Sequence, residues 1–164
     1  MPVLRLYRRA QAVQEGERVL KIFLSGMEST YHKVFPNGAD LLWTLLSYYS
    51  IRRNVENSME LIRRSQEIMI DSGAHSFQRG VTVPWEDYTR EYAAWIRAND
   101  QPKIHGYFEM DVDNVIGYDR VLALREILLE ATDKIIPVWH KNRGIEDFKK
   151  MCHEYSGAVP YTAV

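Results

Sequence analysis

Short apolar runs alternate with longer, helix-patterned stretches along almost the whole chain, and most of the runs stop at a polar residue. Alternation of this kind predicts an α/β fold. Parallel strands cannot be joined by hairpins, so each needs a crossover, usually a helix, and such crossovers are right-handed. The clearest strand is Glu67-Ile68-Met69-Ile70-Asp71, which stops at Ser72-Gly73. Pro84 suits the first turn of a helix over Trp85 to Ala98, where Tyr88, Tyr92, Trp95 and Ile96 fall at helical spacing. A strand is expected over Ile104 to Met110 and a helix over Tyr118 to Ala131. Lys134 to Trp139 reads as a strand, Ile145 to Tyr155 as a helix and Gly157 to Val164 as one more strand. Upstream, Leu4 to Arg18 reads as a helix and Val19 to Leu24 as a strand ending in Ser25-Gly26. Asn37-Gly38 signals a turn. Leu41 to Tyr49 fits strand or helix; a strand near Leu45 to Tyr49 followed by a helix over Val55 to Ser65 is the preferred division.

Strand starts recur at close to the ~31 residues per unit of an eight-unit barrel of about 250 residues. The expectation is therefore a (β/α)8 TIM-barrel-like fold of which only the first five to six β/α units are present. Residues 1–164 form one partial domain, with an N-terminal helix over 1–18 and consecutive units over 19–164. Hydrophobic residues make up 46% of the chain, enough for a sizeable core. A net charge of -1 makes no global demand for a nucleic-acid or membrane partner. The pairs Arg8-Arg9, Arg52-Arg53 and Arg63-Arg64 are expected on solvated helix faces. Cys152 is the only cysteine, which excludes an internal disulfide and fits a reducing, cytoplasmic setting. Neither a signal peptide nor a membrane span is expected.

Ligands of parallel α/β folds bind at the carboxyl ends of the strands. Residues of that kind are Ser25, Ser47, Asp71, Ser72, His75, Ser76, Glu109, Asp111, Asp113 and His140. Asp71 ends an apolar strand, so partial desolvation can raise its pKa and suit it to proton transfer or to a donor-rich ligand. Equally, it can cap the turn. Gly73 permits positive φ and close approach of a ligand, while Ser72 and the amides after it can donate hydrogen bonds. Alternation puts Glu109, Asp111 and Asp113 on one strand face if the strand extends that far. Three carboxylates there call for a cation or a donor-rich ligand; otherwise the later two lie in the loop. His140 is a ligand, a proton donor or a structural histidine, and Trp139 stacks on a substrate or fills the interior. No phosphate-binding glycine loop, Gly-x-Ser-x-Gly elbow or His-Glu-x-x-His motif is present, and no cofactor is expected.

Ile70-Asp71-Ser72-Gly73-Ala74-His75-Ser76-Phe77-Gln78 resembles the Asp-Ser-Gly-Gly-Phe-Gln motif of tRNA-guanine transglycosylases. From Ile22 to Val164 the chain is most similar to short, phage-associated members of that family linked to 7-deazaguanine insertion into DNA. Leu46-Ser47-Tyr48-Tyr49, Phe108-Glu109-Met110-Asp111-Val112-Asp113 and Pro137-Val138-Trp139-His140 carry the rest of the likeness. The resemblance implies a (β/α)8 barrel that exchanges guanine in tRNA or DNA for a 7-deazaguanine base, in the cytoplasm of a phage-infected or prophage-bearing bacterium. It implies that Asp71 contacts the base and transfers a proton, and that Asp111 reads the base's amino and imino edge. Ala74-His75-Ser76 interrupts the family's Gly-Phe-Gln. The family's nucleophilic aspartate and zinc module belong beyond Val164. Two alternatives stand beside this reading. One is a truncated, non-catalytic piece that binds nucleic acid or a partner, a second copy included. The other is a metal-dependent barrel enzyme using Glu109, Asp111, Asp113 and His140.

Overall fold

The computed structural model describes residues 21–38, 40–77 and 83–154. The helix expected over Leu4 to Arg18 and the strand expected over Gly157 to Val164 lie outside these residues. Five parallel strands make one sheet, and their order in space is their order in sequence. They are β1 (Leu24–Ser25), β2 (Leu41–Ser47), β3 (Ser65–Asp71), β4 (Ile104–Phe108) and β5 (Ile135–Ile136). The connections hold α1 (Tyr31–Val34), α2 (Tyr48–Arg53), α3 (Val55–Arg64), α4 (Trp85–Asn99), α5 (Asp113–Ile116) and α6 (Tyr118–Leu129), with α7 (Ile145–Glu154) after β5. The fold is thus α/β with a parallel sheet, as the alternation predicted.

Several boundaries differ from expectation. The second strand runs from Leu41 to Ser47, and Tyr48 and Tyr49 already begin α2. Residues 21–23 are not strand, which leaves the first strand two residues long. Ser65 opens β3 instead of closing α3, so helix passes into strand without a loop. Strand β4 stops at Phe108, two residues short of Met110. The fifth strand shrinks to Ile135–Ile136 because Pro137 lacks the N–H that would continue the ladder.

The two faces of the sheet are unlike. Leu46, Ile68, Ile70, Ile104, Tyr107 and Ile135 point to the helices and join the main core. Helix α4 presents Tyr88, Tyr92 and Ile96 to that core, one turn apart, and all three are buried. The helices lie side by side. Arg52 of α2 pairs with Glu91 of α4 at 2.7 Å, and Arg97 of α4 pairs with Glu130 beyond α6 at 3.7 Å. On the other face Leu45, Met69, Phe108 and Ile136 form a smaller cluster with Phe23. Gly106 is required here, since a Cβ would stand 2.4 Å from Ile136 Cδ1. Toward the N-terminal ends of the strands, Glu67 holds Lys21 at 2.6 Å and His105 at 3.2 Å.

One buried ion pair fastens the layers. Glu109, 1% exposed, accepts hydrogen bonds from Arg125 Nε at 2.6 Å, Arg125 Nη2 at 3.0 Å and the Val138 amide at 2.7 Å. It thereby ties the end of β4 to α6 and to the chain leaving β5. Removing one member of such a pair leaves the other charge buried and unpaired, whereas replacing both by apolar groups is far milder. Glu109→Ala is therefore expected to lower unfolding free energy by about 3–5 kcal/mol. The double variant Glu109→Leu, Arg125→Met is expected to recover most of that loss. Urea denaturation followed by circular dichroism measures both, and a double variant no more stable than Glu109→Ala would contradict this account.

Candidate functional site

The carboxyl ends of β2, β3, β4 and β5 bring Ser47, Asp71, Asp111 and His140 to one edge of the sheet. Ser47 and Asp71 are register partners across β2 and β3. The Ser47 amide donates to Glu28 Oε1 at 2.8 Å, so a buried carboxylate fixes the point where β2 turns into α2. No sequence signal had singled out Glu28.

The turn after β3 is tightly built. Asp71 Oδ2 accepts the Gly73 amide at 2.9 Å, which is the turn-capping contact. Gly73 has φ +76°, and a Cβ would meet Tyr49 Cβ at 2.4 Å and Ser47 Oγ at 2.7 Å. Positive φ was foreseen, but the close approach is by the β2–α2 connection and not by a ligand. Ser72 is fully buried. Its hydroxyl oxygen accepts from the Ala74 amide at 3.4 Å, within its own turn. His75 and Ser76 are exposed, on a 3-10 turn over Ala74–Phe77.

Two tyrosines grip the backbone on either side of Asp71. Tyr92 Oη donates to the Ile70 carbonyl at 3.2 Å, and Tyr88 Oη donates to the Ser72 carbonyl at 2.6 Å. Spacing of four on a helix matches spacing of two on a strand, so one helix face holds both peptide groups. Tyr48 stacks on Tyr92 with centroids 4.7 Å apart, closing an aromatic wall behind the turn. Burial raises the Tyr88 and Tyr92 hydroxyls, which stay protonated donors.

The acidic run after β4 does not lie on a single strand face. Glu109 turns into the layer between sheet and helices, where Arg125 and the Val138 amide hold it behind Asp111 and His140. Asp111 sits in the loop, and Asp113 opens α5. Both approach His140. Asp113 Oδ1 is 2.5 Å from Nδ1, and Asp111 Oδ1 is 2.8 Å from Nε2. Trp139 neither stacks at the mouth nor fills the sheet's open face. It packs on Phe148 of α7 and donates Nε1–H to the Gly144 carbonyl.

Asp111, Asp113 and His140 offer ligand atoms within 4.8 Å of one another. An imidazole gives an ion one nitrogen, however, and here Nδ1 is engaged by Asp113. His140 Nε2 faces Asp111, while Asp113 Oδ2 is buried without a hydrogen-bond partner. Of the four residues of the metal reading, Glu109 is paired with Arg125, and Asp111, Asp113 and His140 stay together.

Electrostatics join the strand ends into one site. Burial raises the Asp71 carboxyl above its ordinary range; the Gly73 amide lowers it, Asp111 raises it and His75 lowers it. Asp111 is raised likewise by burial, with His140 pulling it down, Asp113 pushing it up and His75 pulling it down. Behind Asp111 and His140 lies a small hollow, lined in part by Glu109, Asp113 and Val138, with no room for a water molecule.

Comparison with protein-family models, curated proteins and solved structures finds no match. The chemistry of the site therefore rests on its own residues.

Because burial raises Asp71, the folded chain holds this proton more tightly than the unfolded chain. The stability tied to the group is full below the unfolded pKa of about 3.9 and declines as pH rises toward the higher folded value. Asp71→Asn keeps an acceptor for the Gly73 amide and removes the desolvated charge. The variant is expected to melt higher than the parent at pH 7 and no higher at pH 3. Equal differences at the two pH values in a calorimetric comparison would argue against a desolvated carboxylate.

Proposed function

We propose that this chain is a transglycosylase-like protein on a TIM-barrel-type scaffold, and that it binds guanine or a 7-deazaguanine base for exchange in tRNA or DNA. One observation carries the reading. Asp71 and Asp111 stand at the ends of adjacent strands, β3 and β4, each raised by burial and each sensing His75. Two partly desolvated acceptors at one rim call for a ligand rich in hydrogen-bond donors. The amino and imino edge of a guanine-like base presents adjacent N–H groups, and a carboxylate pairs with such groups through two parallel hydrogen bonds. Asp111 takes that reading role. Asp71, with its pKa moved toward neutrality, takes proton transfer with the incoming base.

The scaffold supports the same reading. Strand order without reversal and helices packed side by side are the arrangement of consecutive barrel units, whose active sites gather at the carboxyl ends of the strands. His75 and Ser76, exposed beside Asp71, replace part of the family's Gly-Phe-Gln and give this site its own polar contact. The target nucleotide leaves its stack to reach the rim, at a cost of a few kcal/mol. The family's nucleophile belongs to a further strand, so base binding is the activity expected of the strands described here.

Calorimetric titration of guanine and of 7-deazaguanine into the folded chain tests the reading. Saturable binding is expected, abolished by Asp71→Ala and weakened by Asp111→Asn, with circular dichroism confirming that each variant folds. A folded parent that binds neither base would sink the proposal.

A further inference from the structure

The Asp113 side chain is 5% exposed, against 29% for Asp111 and 27% for His140. It therefore sits behind the mouth, not in it. Its Oδ1 is spent on His140 Nδ1, while Oδ2 is buried with no hydrogen-bond partner. An unsatisfied buried acceptor works against folding, and such strain gathers at functional sites. The loops carrying the two residues are clasped a second time, by Asn142 Nδ2 donating to Asn114 Oδ1 at 2.7 Å. The His140 carbonyl also accepts the Arg143 amide, which closes the 3-10 turn at Lys141–Arg143 and fixes the histidine backbone.

We propose that Asp113 and His140 are positioning residues for Asp111: buried Asp113 fixes the ring through Nδ1, and Nε2 then stands 2.8 Å from the Asp111 carboxyl at the rim. An imidazole bonded at Nδ1 and packed at Nε2 against Asp111 has one orientation, since turning the ring breaks both contacts at once. Asp113 sets which nitrogen donates, as carboxylates behind functional histidines do. The other charged groups around Asp111 and the ring are Asp71 on β3, His75 on the turn after it, and Arg143. Arg143 is directed elsewhere, with Nε 2.9 Å from Asp147 Oδ2 and its guanidinium 3.9 Å from the Tyr118 ring centroid. The inference rests on the reading that Asp111 contacts a base.

The test uses the full chain with histidine ring nitrogens labelled with 15N, comparing the parent with Asp113→Asn, Asp111→Asn and His140→Gln. In the parent, His140 Nδ1 is expected to carry hydrogen, with a downfield proton signal. That signal should persist in Asp111→Asn and shift upfield or vanish in Asp113→Asn and His140→Gln. Guanine affinity is expected to fall roughly ten- to a hundredfold in Asp113→Asn, from misplacement alone, at an unchanged melting temperature. A bare Nδ1 in the parent, or parent-like affinity in Asp113→Asn, overturns the inference. If the folded parent binds no base, the functional reading fails instead, and the Nδ1 signal still decides whether Asp113 fixes the ring.

Discussion

Glu109 is the carboxylate on which the site's geometry depends. It binds Arg125 through two oxygens and the Val138 amide through one of them, so strand β4, helix α6 and the exit of β5 meet at a single side chain. Asp111 lies two residues beyond Glu109, and His140 two residues beyond Val138. A shift of this anchor would move both together. Burial raises the carboxyl, while Arg125 and the Val138 amide draw it back down. Its value is registry between strands more than net stability, since buried ion pairs are weak contributors when compared with apolar packing.

A second anchor serves the neighbouring strand. Tyr88 and Tyr92 satisfy the two carbonyls that flank Asp71, and the Gly73 amide satisfies Asp71 itself. The backbone around the carboxylate is thus fully committed, leaving the charge as the group with unspent capacity. Packing of the tyrosines on Tyr48 makes their hydroxyls reach inward to the strand. Arg52 lies over the Tyr48 and Tyr88 rings while pairing with Glu91, so this arginine is part of the wall and not only a solvated charge.

The alternation of apolar runs with helical stretches made the class of fold and the strand order readable from sequence, because periodicity and crossover handedness are local and general properties. Strand ends were readable only roughly. Leu41 to Tyr49 contains no residue that marks where extended chain becomes helix; the division at Ser47 is set by Glu28, which arrives from a distant loop. Asp71, Asp111 and His140 were legible as strand-end groups. Glu109 was placed among them because alternation along a strand was carried past Phe108, where the strand has already stopped. Its true partner, Arg125, is 16 residues away on a helix, and no local pattern announces such a pairing. Tyr88 and Tyr92 stood out as core residues by spacing, while the targets of their hydroxyls required the fold.

The order of the strands also bears on how the chain comes together. In a sheet whose spatial order follows the sequence, every new strand pairs with the one just before it. No strand has to wait for a partner made much later, and none must be threaded between two already paired. Loop closure then involves only one crossover at a time, which keeps its entropic cost modest. A chain emerging from the ribosome can add one unit after another to a growing edge. The acidic rim takes shape only after β3 and β4 are joined, because Val138 and His140 follow both strands in the chain.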